Sequence, residues 1–340
     1  VPEYGEASAE RTVVGVINSS WPELNASAST ELAHQMIAAR NTEGLLANMP
    51  WSDWVQHMGQ VVPPLGRQVG RSIASQMQGF QSLQAGLSMT NVDAVSVRYA
   101  HTEGAKLVAN LQESQRAAVR LVMGQAMNGE HTVDQAARMI RGTIGLHPAW
   151  AQAVVNFRER QIAQLSRTTM PPAKALALAN KRADTYQARL VSRRAMNVAH
   201  TEIQTASNLG RYATWAQMVG NGLAKPTSMK EWSANAGACS ICSSLSGQQA
   251  LWDQPFDGGY VMPPAHTNCR CTANLLPQTY SNPILNPRPI DWTAPYMPGR
   301  DTLDAIGLGS VPTPTLLTPD PGFSFDQTGE SDGTPSDASY

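Results

Sequence analysis

The sequence predicts a mainly α protein: a long-helix body, a small C-terminal zinc-stapled loop/β module, and a disordered tail. Three observations carry that expectation. Apolar residues recur at helical spacing from Asn91 onward, and no proline interrupts residues 173–218. All four cysteines fall between Cys239 and Cys271. Beyond Pro277 the chain turns to Pro, Thr, Ser, Gly and Asp, with few apolar groups to offset the entropy of ordering.

Taken in order, the first 25 residues show no secure element. Ser29-Thr30-Glu31 reads as a cap ahead of Leu32, Met36 and Ile37 at helical spacing. Trp51, Trp54, Val55 and Met58 predict a short amphipathic helix entered after Pro50 and broken by Pro63-Pro64. Leu65 to Leu87 is Gln/Gly/Ser-rich and weakly periodic.

Val92, Val95, Tyr99, Ala100, Leu107, Val108 and Leu111 then mark a long helix. Ser114 is expected to cap another, with Ala118, Val119, Leu121 and Val122 inward and its end at Asn128-Gly129. Thr132-Val133-Asp134-Gln135 is a capping box opening a third helix through Ala136, Met139 and Ile140, closed by Gly142. Pro148 opens a fourth, carrying Trp150, Val154, Val155 and Phe157. After Pro171-Pro172 comes the longest pattern, Ala173 to about Met218, as one bent helix or two abutting ones.

A linker, Gly220 to Thr227, leads to Trp232, placed to pack over the cysteines. Between the cysteine clusters, Gln248–Trp252 and Gly259–Met262 read as two strands across the Asp257-Gly258-Gly259 turn. Pro263-Pro264 delivers His266 from a stiff loop.

The net charge of −1 hides an asymmetry. Residues 98–220 hold 16 Lys/Arg against 7 Asp/Glu, and the remainder 9 against 19. A basic body of this kind suits an acidic partner, such as DNA or an acidic protein ring, or is the solvated face of ordinary helices. No stretch approaches the roughly 20 apolar residues of a membrane span. The chain opens on Val1, as a fragment or an alternative start codon would, and residues 1–25 lack the pattern of a signal peptide.

Cys239-Ser240-Ile241-Cys242 and His266-Thr267-Asn268-Cys269-Arg270-Cys271 supply five candidate ligands for structural Zn²⁺: Cys239, Cys242, His266, Cys269 and Cys271. A Cys-x-x-Cys turn aims two thiolates at one centre, and a second Cys/His cluster closes a tetrahedron. Four of the five suffice, and spacing does not choose among them. Such a site has no open position for water, so the metal is a staple. A pair of disulfides is the alternative, in an oxidising compartment. Only Lys225, Lys230 and Arg270 are basic near the site, too few for a DNA-reading zinc module. Arg270 is placed to bond loop carbonyls or to offset thiolate charge.

Enzyme signatures are missing: no phosphate loop, no Gly-x-Ser-x-Gly elbow, no His-Glu-x-x-His helix. None of His34, His57, His101, His131, His147, His200 and His266 sits in a catalytic context, so no catalytic residue and no small-molecule substrate are assigned. The tetrapeptide Ala-His-Thr-Glu occurs at Ala100–Glu103 and Ala199–Glu202 and reads as coincidence. Glu202 is either an exposed helix carboxylate or a group that bonds the backbone of the cysteine loop.

The pattern Cys-x-x-Cys, a Gly-containing interval and Pro263-Pro264-x-His266-x-x-Cys269-Arg270-Cys271 resembles the C-terminal signature of the phage Mu F-like minor head proteins, the phage head morphogenesis family. Upstream, Arg194-Ala195-Met196-Asn197-Val198-Ala199-His200-Thr201-Glu202 with Ala206, Asn208 and Gly210 is similar to that family's helical segment, with His200 where arginine is usual. Gly129 and Ile144-Gly145-Leu146 also sit where the family has a helix-turn pattern, so the resemblance spans about 90–277. It implies a structural virion protein, made in the bacterial host, that assists head assembly through contacts with portal or shell. The basic body adds packaged DNA as a possible partner. A capsid maturation protease is the alternative in a phage head. Some relatives carry a fused ADP-ribosyltransferase, for which the stretch after Cys271 leaves no room.

The expected organisation is a helical N-terminal region at 1–89, the basic helical body at 90–219, the Cys/His zinc-knuckle module at 220–277 and a flexible tail at 278–340.

Overall fold

In a computed structural model of the protein, residues 6–79, 104–128, 132–276 and 278 are described. These described residues are mainly helical, with one small sheet among them. The expected helix start at Asn91, the first Ala-His-Thr-Glu copy and the tail after residue 278 lie outside the described residues.

The first 25 residues, where no element was secure, fold as α1 (Glu6–Ser19) and α2 (Pro22–Ser27). Helix α1 buries a narrow stripe, Ala9, Val13 and Ile17. Thr30 caps α3 (Glu31–Ala38) by accepting the Ala33 N–H at 3.1 Å, as Ser29-Thr30-Glu31 predicts. A short α4 (Thr42–Ala47) is capped by Asn41. The tryptophan helix is α5 (Trp51–Met58). Trp54 packs on Trp51 edge-on at 6.2 Å and on Trp21 at 5.3 Å.

Pro63-Pro64 does not break the chain. Both prolines lie in the first turn of α6 (Val62–Gly79), where no intrahelical N–H is needed, so the segment from Leu65 is helical rather than irregular. Ser114 is likewise not a cap. It lies inside α7 (Ala105–Asn128), its hydroxyl accepting a bond from Arg194 at 3.1 Å. Leu107, Val108, Leu111, Ala118, Val119 and Val122 are buried as expected, whereas Leu121 is exposed.

The capping box forms at α8 (Val133–Arg141): Gln135 N–H donates to Thr132 Oγ1, and Thr132 N–H to Gln135 Oε1. Pro148 opens α9 (Pro148–Leu165) behind His147. The pattern after Pro171 is one continuous helix, α10 (Pro172–Gly220), of 49 residues and about 73 Å.

Helix α10 organises the fold. Its first half buries one side, through Ala175, Ala179, Ala183 and Leu190, and Leu165, Ala175 and Ala179 form a small core of their own with α9. From Arg194 to Met218 nearly every residue is buried. There α1 and α6 pack along it, and β3 (Thr272–Leu276) touches it from the small sheet-and-loop unit of residues 229–276, termed the knob. Gly210 permits the α6 crossing, since a Cβ there would lie 2.7 Å from both Ser72 Cβ and Val69 O. Polar bonds line the seam: Gln68 Nε2 donates to Ser207 Oγ, Ser207 Oγ to Glu6 Oε1, and His200 Nδ1 pairs with Glu10 Oε1 at 2.6 Å. One core cluster runs from Ala9 to Leu275.

The sheet has the order β2-β1-β3, both pairings antiparallel. Strand β1 (Met229–Ser233) lies centrally, with Met229 opposite Leu251 of β2 (Gln249–Leu251) and Leu276 of β3. The expected partner of Gln248–Trp252 was Gly259–Met262. That stretch is loop, because β1 claims β2's hydrogen bonds.

Candidate metal centre

The five Cys/His residues converge. Cys239 precedes α11 (Ser240–Leu245), whose first turn turns Cys242 inward. The loop after the Pro263-Pro264 peptide, which is cis, brings back His266, and Cys269 and Cys271 follow just before β3. Two overlapping trios result, each with its ligand atoms within 4.8 Å of one another: Cys239, Cys242 and His266, and Cys242, Cys269 and Cys271. Cys242 belongs to both.

His266 Nε2 lies 3.1 Å from the sulfurs of both Cys239 and Cys242, and Cys242 Sγ lies 3.6 Å from Cys269 Sγ. The four cysteines are free thiols at ligand-to-ligand spacing rather than disulfide-bonded. His266 Nδ1 lies 2.8 Å from Thr267 O, a carbonyl that can only accept. The proton therefore sits on Nδ1, and the Nε2 lone pair faces the sulfurs. A carbonyl that fixes the tautomer in this way is the usual outer support of a metal-bound histidine.

The thiols show why a cation suits the site. Hydrogen bonds from Cys242 and Cys271, outweighing burial, draw Cys269 down to about 3. The bond to Cys269, then that to Cys271 and burial, drive Cys242 upward. For Cys271 the bond with Cys242 lowers the value, but the Cys269 bond, burial and the Cys269 charge outweigh it and raise it. Cys239 is lowered: burial opposes the thiolate, while the Cys242 and Ile241 backbone and the Cys242 side chain favour it. Without a cation the inner sulfurs hold only one thiolate comfortably; a divalent ion would take them all ionised. Thiolates plus one imidazole match zinc.

The knob is fastened to α10 by Thr201 and Asn208 of the motif segment, whose role the sequence did not reveal, and by Gln204, which it did not single out. Gln204 Nε2 donates to Cys271 O at 3.0 Å and Asn208 Nδ2 to the same oxygen at 3.4 Å. The Asn268 N–H donates to Thr201 Oγ1 at 2.9 Å, and Asn268 takes the left-handed backbone at φ 61. Glu202 is 4% exposed, so its reading as an exposed carboxylate is corrected. The signal was available: Thr201 to Met218 holds only two charged residues, Glu202 and Arg211, as a helix buried on all sides should.

Other expected residues sit nearby. Trp232, fully buried, meets Phe256 edge-on at 5.3 Å and Tyr260 at 6.2 Å, in the knob's aromatic core. Arg270 is exposed between two buried cysteines. Lys230 is fully buried, donating to Val261 O at 2.6 Å with its Nζ 4.9 Å from the Phe256 ring, and burial pulls its pKa to about 7. Arg194, from the motif segment, donates to Gly145 O and Ser114 Oγ, and burial brings it to about 10. His147 falls to about 4 through burial and then the Arg194 charge.

Two Ser/Cys–His pairs bear on the protease alternative. Ser19 Oγ lies 2.9 Å from His57 Nε2, but it donates to Val16 O, so His57 is the donor rather than a base. His266 Nε2 is equally close to two sulfurs, an arrangement of metal ligands rather than of one nucleophile with its base. A cleft of about 540 Å³, lined among others by Trp21, Asn25, Ile144, Gln187 and Val191, has no acid, base or cysteine in its wall. No helix among the described residues is long and apolar enough to cross a membrane.

Residues 158–274 match the model of the family described as phage Mu protein F like protein. The match bears out the resemblance from Arg158 in α9 through α10 and the knob to Asn274; Gly129 and Ile144-Gly145-Leu146 lie outside it. No curated protein and no solved structure matches the chain.

Proposed function

We propose, from a chain whose residues 158–274 belong to the phage Mu protein F like family, that the protein is a minor head protein of a tailed phage. It works by contact with portal or shell, and it resides in the virion. The observation that carries this reading is the coincidence of the family match with one structural unit. The match runs from the second half of α9 through α10 into β3, and two of its motif residues, Thr201 and Asn208, bond the segment that carries the cysteines.

The role is structural. Zinc, held by four of Cys239, Cys242, His266, Cys269 and Cys271, fixes the knob, and Thr201, Gln204 and Asn208 transmit that rigidity to α10. A closed site of this kind binds no substrate. The four units expected from the sequence remain our division by role, with 1–89 supplying the helices α1 and α6 that flank α10.

Coexpression with the portal and major head protein of the same phage tests the reading. The protein should copurify with assembled heads at fixed stoichiometry and leave the head precursors intact. Cleavage of a precursor without incorporation would establish the protease instead.

A further inference from the structure

The hairpin of α9 and the first half of α10 carries an excess of positive charge. Residues 156–193 hold eight Lys/Arg against two Asp/Glu, Glu159 and Asp184. Lys174, Lys181, Arg182 and Arg189 are exposed, and Arg193 is half-buried. At 100° per residue these five positions on α10 fall within an arc of about 120°, spread over about 28 Å. Asp184 lies about 120° from the centre of that stripe. The stripe borders the small-residue face by which α10 meets α9, and within the hairpin Arg182 Nη1 donates to Gln161 and Arg158 Nε to Asn180. Neither of those bonds engages a carboxylate.

We infer that this edge of α10 tracks the phosphate backbone of double-stranded DNA, with Lys174, Lys181 and Arg189 as its exposed contacts. The inference rests on the phage-head reading, which makes packaged duplex the abundant polyanion. A continuous helix with cations on one side fits a run of phosphates and offers no base-reading group, so binding is independent of sequence and sensitive to salt. The nearly neutral wall of the cleft beside α2 contributes nothing to it.

The test measures full-length protein on a fluorescent duplex of random sequence across a salt series. The variants are Lys174→Gln/Lys181→Gln/Arg189→Gln, which keeps helix-forming residues, and a control, Arg11→Gln/Arg67→Gln, on exposed positions of α1 and α6. Wild type and control should bind alike. The triple variant should keep its melting temperature, bind at least tenfold more weakly, and lose about 2.7 from the slope of log K against log salt. Equal binding and slope for the triple variant, or no binding by wild type, would overturn the inference. So would a triple variant that keeps DNA binding but drops out of heads, since the stripe would then meet an acidic head protein. A wild type that binds with this slope yet never enters heads leaves the DNA edge standing and removes the phage-head reading.

Discussion

Gly210→Ala separates the account of α10 from ordinary helix propensity, because the two give opposite signs. In a helix with free space around it, alanine is better than glycine by about 1 kcal/mol. At Gly210 the added methyl would lie 2.7 Å from Ser72 Cβ and 2.7 Å from Val69 O. The oxygen is backbone and cannot rotate away, so α6 must shift. Overpacking of this kind costs roughly 1–3 kcal/mol. A shift also loosens the hydrogen bond that Ser72 Oγ donates to Ser207 O, worth about 1 kcal/mol. The propensity gain offsets part of this, leaving a net loss of about 1–3 kcal/mol. Urea unfolding followed by far-UV circular dichroism should show a lower midpoint for the variant. A midpoint at or above wild type would mean that α6 and α10 do not cross at this glycine.

Two further outcomes follow from the knob. Lys230 has a folded pKa of about 7 against an ordinary 10.5, so between those values the unfolded chain holds more protons and stability rises with pH. The rise attributable to this residue is about 2 kcal/mol from pH 7 to pH 9, and Lys230→Met should be more stable than wild type at pH 7 and lose that increment. Denaturant midpoints at both pH values would show it; an unchanged pH slope would contradict it. Gln204→Ala with Asn208→Ala leaves the buried Cys271 carbonyl without its two donors, at a cost of about 1–3 kcal/mol. Limited proteolysis should then cut between α10 and β1 faster than in wild type, and equal rates would show that these bonds do not hold the knob.

The sequence made some parts of this structure legible and hid others for identifiable reasons. Thr132 and Gln135, Thr30, and Pro148 advertise helix starts through chemistry that acts locally, and all three appear as read. Helix α1 escaped because it buries only Ala9, Val13 and Ile17, a stripe too thin to stand out. Strand β1 escaped because its alternation includes Lys230, a buried lysine that reads as polar, between the half-buried Met229 and Glu231. Pro63-Pro64 misled because the same residue that stops a helix also starts one. At the site, spacing singled out five Cys/His positions, and the fold brings all five together. The anchors Gln204 and Asn208 stayed hidden: a polar side chain on a helix reads as solvent-facing until its partner, a carbonyl 63 or 67 residues away, is known.

Zinc content decides the matter most directly. Protein purified without chelator should carry one zinc per chain by inductively coupled plasma mass spectrometry. Removing the ion with a strong chelator should expose four thiols to a thiol reagent and release the knob to protease. A chain that arrives metal-free, binds no added zinc and keeps its knob protease-resistant would contradict the claim that a metal fastens the cysteine loops to the long helix.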